Sequence, residues 1–330
     1  MSEDLGAFVQ KLPKAELHLH LEGAVPWGMV RAHSEDGLSG VPSWWDRDYR
    51  FPDFDDFRNA MGVIWHPFIN TLRDIADAAQ GVFCVLVAQN VRYVEISFGA
   101  GAYAFPPNQV AEAIVDVVPA GLTVKVFAGI SRHRDLDNAL WAGREAVGSN
   151  AIDGIDLHGD ERVGQVSHFA SIYAAARERG MMTKAHAGEL GGPEVIWEVV
   201  RLLKVKRIEH GVAAVRDPDL VTFLRDEGVV LDVCPWSNVK LNVAPSLRMH
   251  PLKALYKAGV CVTLNTDDPT AFGHTLTDEY RWLVGEMGLS IADVGAIATN
   301  GFRVANLPED ERQAAIAEIE HLCGKVNNEI

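Results

Sequence analysis

Two histidines one residue apart, His18 and His20, and two adjacent carboxylates, Asp267 and Asp268, stand near opposite ends of this chain, each closing a short apolar run. Alternate residues of a strand face the same way, so His18 and His20 point to one side together. Two imidazoles from one strand end and a carboxylate from another are what a catalytic zinc site requires. Other ionisable residues fall at comparable places, in His186-Ala187-Gly188-Glu189 and Glu209-His210-Gly211. Such groups inside apolar runs are costly unless paired or metal-bound. His18, His20 and His186 can supply nitrogens and Asp267 a carboxylate, leaving one position open for a water made more acidic by the metal. Glu189, three residues past His186, suits proton delivery to a substrate. His210 and Asp268 remain to orient the water or take its proton. Gly159 and Gly188 leave room for a flat substrate to approach the backbone.

Residues this far apart need a scaffold that unites them. Eight apolar, β-branched runs recur at 15–23, 91–98, 123–131, 152–159, 182–189, 207–212, 229–235 and 261–269. Stretches with helical spacing, such as 166–179, 193–203 and 218–227, lie between them. Alternation of strand and helix implies parallel strands with crossover helices. Eight units predict an α/β fold of the TIM (β/α)8 barrel type, in which the last strand reaches the first. A doubly wound open sheet would keep His18 and Asp267 apart. Barrel enzymes carry their catalytic groups at the C-terminal strand ends, where these residues fall.

The connection 24–90 is too long for a simple crossover and carries Trp27, Trp44, Trp45, Phe51, Phe54, Phe57 and Trp65. It reads as a helical lid inserted after the first strand, or else as a satellite cluster that buries only itself. With no repeat or linker elsewhere, residues 1–330 are expected to form one domain.

Forty-five acids against 30 bases give a formal net charge of -15, which repels phosphate backbones and disfavours a nucleic-acid partner. No run is long and apolar enough to span a bilayer. The first residues carry acids and no basic leader, and the four cysteines form no CxxC pair, so a cytoplasmic protein with reduced thiols is expected. The fourth run ends in Leu157-His158-Gly159-Asp160, without a lysine to bridge two metals, and Lys184 falls within the next run. One zinc per chain is therefore expected, and a two-metal phosphoesterase or lactonase is disfavoured.

The segments Lys14-Ala15-Glu16-Leu17-His18-Leu19-His20-Leu21-Glu22-Gly23, His186-Ala187-Gly188-Glu189, Arg207-Ile208-Glu209-His210-Gly211-Val212, Cys234-Pro235-Trp236-Ser237-Asn238 and Leu264-Asn265-Thr266-Asp267-Asp268-Pro269 occur in that order. Over nearly its full length the chain resembles the adenosine deaminase family of zinc barrel hydrolases. The resemblance implies that His18, His20, His186 and Asp267 bind zinc, and that Glu189 protonates purine N1. It implies that His210 and Asp268 position and activate the attacking water, and that the Gly159 N–H bonds ring N3. The product would be a 6-oxopurine, with ammonia released. A catalytically silent purine-binding barrel is the rival from another class, disfavoured because every one of these positions is filled.

Substrate identity divides the motifs. Nucleoside-specific members resemble this chain at Trp236, Thr266 and Thr275-Leu276-Thr277-Asp278-Glu279-Tyr280, but carry aspartate where Glu22 stands, facing the sugar, and glycine where Glu209 stands. Glutamate at the Glu22 position is more familiar in relatives acting on free adenine or on altered nucleosides such as 6-aminodeoxyfutalosine. Arg47, Arg50, Arg58 and Arg73 could pair with a carboxylate on such a sugar appendage, or be surface arginines. His158 and His274 lie close enough to the catalytic face to touch substrate. His33, His66, His133, His168, His250 and His321 read as surface or core residues. An adenine nucleoside, plain or 5′-modified, is the leading substrate and free adenine the alternative. Among partners only a small-molecule purine is implied, and oligomeric state is open.

Overall fold

A computed structural model describes residues 3–34, 38 and 40–329. Its centre is one eight-stranded parallel sheet in sequence order: β1 Lys14–His20, β2 Val91–Gly99, β3 Thr123–Ser131, β4 Gly154–His158, β5 Met182–Ala187, β6 Arg207–His210, β7 Val230–Val233 and β8 Cys261–Leu264. The sheet closes beyond the end of β8. The His20 N–H donates to the Asp267 carbonyl at 2.9 Å, and the Asp267 N–H donates to the His18 carbonyl at 3.0 Å. The closing ladder thus sets Asp267 between the two histidines by main-chain bonds alone. Together with the outer helices this is the expected (β/α)8 barrel.

Six of the eight runs read from sequence overshoot their strands at the C-terminal end, while the run 123–131 matches β3 and the run 91–98 stops one residue short of the end of β2. Gly188, His210 and Asp267 take positive φ, at 74°, 63° and 65°, and turn the chain out of the ladder. Left-handed backbone suits glycine but costs a histidine or aspartate of order 1 kcal/mol or more, a strain found mostly where function requires it.

The barrel's interior departs from the usual apolar filling. Outward residues such as Leu17, Leu19, Val94, Ile96, Leu157, Ile208, Leu231 and Val262 are buried and apolar, packed beneath the helices. The interior below the strand ends instead holds Glu95, Asp156, Lys184, Glu209 and Asp232, all almost fully buried. They persist there because they are paired. Lys184 Nζ lies 3.0 Å from Glu209 and 3.4 Å from Glu95, and Arg207 reaches both Glu95 and Asp232. Lys184 also donates to the Leu17 carbonyl at 2.7 Å, so it is tied into the barrel floor below the strand ends.

Within 24–90, the helix Leu72–Ala88 buries Ile75, Ala79, Val82 and Phe83, serving as the first crossover helix. The segment before it holds the helix Phe54–Trp65, whose N-cap Asp53 accepts from the Asp56 N–H. No helix among the described residues is long and apolar enough to cross a membrane. None of the four cysteines is disulfide-bonded; Cys234 is buried and Cys84 exposed.

Candidate active site

At the C-terminal end of the barrel, β1 supplies His18 and His20, β5 supplies His186, and the closing segment supplies Asp267. Their ligand atoms lie within 4.8 Å of one another, and all four residues are buried. His186 Nε2 is 3.1 Å from His18 Nε2 and 3.3 Å from His20 Nε2. Asp267 Oδ1 is 3.4 Å from His18 Nε2 and 3.2 Å from His20 Nε2. For His18 and His186 the other ring nitrogen faces an outward partner, which turns Nε2 inward. His18 Nδ1 meets the Asp232 carbonyl at 3.1 Å, and His186 Nδ1 meets Asp156 Oδ1 at 3.1 Å. Glu209 also comes within 3.0 Å of His186 Nδ1, but off the line of the N–H, so Asp156 is the aligned acceptor.

The electrostatics favour a cation at this point. Burial opposes a charged His20, yet Asp267 and Asp268 outweigh it and push its pKa to about 9. Burial likewise opposes ionisation of Asp267, but the His18 and His20 donors hold it well below the usual carboxylate range.

Glu189, His210 and Asp268 surround the cluster. Glu189 Oε2 is 3.4 Å from His210 Nε2, while its Oε1 accepts from Asn238 Nδ2 at 3.0 Å. Burial raises the Glu189 pKa well above the ordinary range, with Asp267 and Glu161 adding to the effect. Burial and the neighbouring Asp267 do the same for Asp268. The Asp268 carboxylate presses so closely on the turn after β1 that a Cβ on Gly23 would stand 1.9 Å from its Oδ1. Only glycine fits there. His210 is driven the other way, its pKa lowered by burial and by His18.

The turn carrying Glu189 is fixed by residues that sequence reasoning did not single out. Glu161 accepts from the Gly188 N–H at 2.6 Å and the Glu189 N–H at 2.8 Å, and Arg132 donates to the His186 carbonyl at 3.0 Å. Ser237 Oγ donates to Asp267 Oδ2 at 2.7 Å. The one available signal for Glu161 was a second ionisable residue, after Asp160, just past the strand-end Gly159.

These groups open into a cavity of about 600 Å³ lined by His20, Glu22, His158, Gly159, His186, Glu189, His210, Asp267 and Asp268. Phe54, Phe57, Arg58 and Trp65 of the inserted helix form its opposite wall. Glu22 Oε1 is held by the Gly99 N–H at 2.7 Å and the Tyr103 hydroxyl at 2.5 Å. Of the four arginines considered for an acidic appendage, Arg58 alone lines the cavity. Arg47 pairs with Glu286, Arg73 with Asp77, and Arg50 donates to the carbonyls of Arg47 and Tyr49. Arg134, not anticipated, lines it too. His158 faces the cavity, stacked on His20. His274 does not: it lies 3.2 Å from Glu279 and stacks on Trp282.

Comparison with known proteins agrees with this arrangement. The profile of the adenosine deaminase family matches residues 13–322. Proteins named adenine deaminase from Cupriavidus necator and Rhizobium meliloti are 32% and 33% identical, spanning 95% and 93% of this chain and 93% and 98% of theirs. The crystal structure of adenine deaminase from Arthrobacter aurescens superposes with a TM-score of 0.85 at 28% identity, covering 94% of this chain and 98% of that one. An amidohydrolase from Burkholderia ambifaria with bound zinc shares the fold, with a TM-score of 0.87 at 23% identity over 99% of this chain and 96% of that one. The chain therefore belongs to the adenosine deaminase family, and is a hydrolytic purine deaminase by class.

Proposed function

We propose that the protein hydrolyses the 6-amino group of an adenine nucleoside, giving the 6-oxopurine and ammonia, with one zinc held by His18, His20, His186 and Asp267. The reading is carried by the convergence of that four-residue cluster and two buried carboxyl groups of raised pKa, Glu189 and Asp268, on a single cavity. Three neutral nitrogens and a carboxylate suit zinc. Ligands ~2.0–2.2 Å from one tetrahedral ion stand about 3.3–3.6 Å apart, close to the 3.1–3.4 Å separations found. When bound, zinc would lower the pKa of water and so generate the nucleophile near neutral pH.

The remaining chemistry belongs to the side chains. Glu189 delivers a proton to purine N1 and makes C6 electrophilic. Asp268 takes the proton of the attacking water as its oxygen bonds to C6, then returns it to the departing amino group. The C6–N bond breaks and ammonia leaves, while the hydroxyl proton remaining on the added oxygen passes to Glu189, giving C6=O and restoring the acid. His210 orients the attacking oxygen, and the Gly159 N–H binds N3. His20 and Asp268 also border the bound purine.

A nucleoside is favoured because the cavity continues past the catalytic groups to Phe54, Arg58 and Arg134, space that a base alone leaves empty. With Oε1 of Glu22 anchored, Oε2 is left for a sugar hydroxyl. The barrel and residues 24–90 then act as one domain, the insertion roofing the substrate. Free adenine is the second reading, supported by the names of the relatives at 32–33% identity. Ammonia release by zinc-loaded protein on adenine, adenosine and an adenine nucleoside bearing a 5′ carboxylate separates them. The proposal expects a nucleoside to have the highest kcat/KM. A preference for adenine overturns it in favour of the second reading.

A further inference from the structure

Asn238 touches three side chains whose demands agree on one orientation of its amide. Nδ2 lies 3.0 Å from Glu189 Oε1 and 3.2 Å from His210 Nδ1, and Oδ1 lies 3.0 Å from His250 Nε2. The backbone fixes the direction of the last bond. The Leu252 N–H donates to His250 Nδ1 at 3.1 Å, so that nitrogen carries no proton and the neutral ring is protonated at Nε2. Burial keeps this ring neutral, its pKa pushed down to about 3. His250 Nε2–H therefore donates to Asn238 Oδ1, and the amide nitrogen faces the active site. The opposite flip would set an amide oxygen against Glu189 Oε1 and an N–H against the His250 donor.

Two consequences reach the catalytic groups. Because Glu189 Oε1 accepts from Asn238, the acid proton is left to Oε2. Because His210 Nδ1 accepts the second Asn238 N–H, neutral His210 is protonated at Nε2, the nitrogen nearest Glu189 Oε2 and Asp267. His210 then meets the attacking oxygen as a hydrogen-bond donor, and proton acceptance falls to Asp268.

We propose that His250, which touches neither substrate nor metal ligands, is a positioning residue that sets through Asn238 the carboxyl orientation of Glu189 and the tautomer of His210. The proposal rests on the roles given to Glu189 and His210 under Proposed function. In 15N-histidine NMR of the wild type, His210 should show a protonated Nε2 and a bare Nδ1. His250→Phe should lower kcat about 10–100-fold, with KM changed less than threefold and zinc content unchanged. His250→Gln, which keeps a donor, should recover part of the loss. In an Asn238→Ala background His250→Phe should change kcat no further. A wild-type His210 protonated at Nδ1, an undiminished kcat in His250→Phe, or an equal loss in both backgrounds overturns the proposal. Should His250→Phe fail to fold, the wild-type tautomer and His250→Gln still decide. A Glu189→Gln variant that stays active would instead refute the reading beneath it.

Discussion

Glu189 and Asp268 are both buried carboxyl groups with pKa values raised above the ordinary range, yet opposite protonation states are required of them. The acid, Glu189, works only while protonated, so activity is lost as pH rises through its pKa. The base, Asp268, works only while ionised, so activity is lost as pH falls through its own. The expected kcat/KM profile is a bell, displaced toward neutrality relative to unperturbed carboxyls. Glu189→Gln should remove the alkaline limb from what activity remains, and an unchanged limb would assign it to another group. Most of these residues were legible because their types are expensive inside apolar runs. His250 was not, because its contact with Asn238 is made across a loop and its neighbours in sequence carry no chemical signal. The arginines show the reverse limit: Arg47, Arg50, Arg58 and Arg73 look alike as letters, and only folding reveals that Arg58 faces the cavity.

Among the elements, the segment before Leu72–Ala88 is tied to the catalytic loops by Trp45, which donates to the Thr270 carbonyl at 2.6 Å, by Asn242, which donates to the Phe51 carbonyl at 2.9 Å, and above all by one lysine. Lys240, on the helix Pro235–Lys240 that follows β7, donates from Nζ to the carbonyls of Trp44, Asp46 and Tyr49. Its backbone carbonyl accepts from the Phe51 N–H at 2.9 Å. Lys240→Met deletes the three side-chain bonds at a cost of about 1–3 kcal/mol and should free residues 43–51 from the barrel. Faster proteolysis in that segment and a KM raised more than kcat is lowered are the expected results. Unaltered cleavage and KM would mean that the aromatic packing and the remaining bonds from Trp45, Asn242 and the Phe51 N–H hold it without the lysine. All eight strands were legible as short apolar runs, β1 without a single β-branched residue. Their ends were not, since nothing in the letters His210 or Asp267 announces a left-handed backbone. The crossover helix Leu72–Ala88 lay within 24–90, where only its N-cap, Thr71, marks the change from insertion to crossover.

For the whole molecule, the proposed zinc is a clasp across the barrel seam, joining β1, β5 and the segment after β8. An ion bound by the folded state alone stabilises it by about 4 kcal/mol at a thousandfold excess over Kd, worth on the order of 5–10 °C in Tm for a chain of this size. Chelation should lower Tm by that amount, and zinc should restore both Tm and activity; recovery by magnesium instead would contradict the ligand set. The net charge of -15 belongs to this scale too, as a field that disfavours anionic polymers.

The central claim is zinc-dependent removal of a purine 6-amino group with Glu189 as the proton donor. The most direct test follows ammonia and 6-oxopurine together, for wild type and Glu189→Gln at equal zinc content. Wild type should form the two products one to one, while Glu189→Gln keeps one zinc per chain and loses about 10²–10⁴ in kcat. Zinc-loaded wild type that deaminates no adenine-type purine, or a Glu189→Gln variant near wild-type rate, would contradict the account.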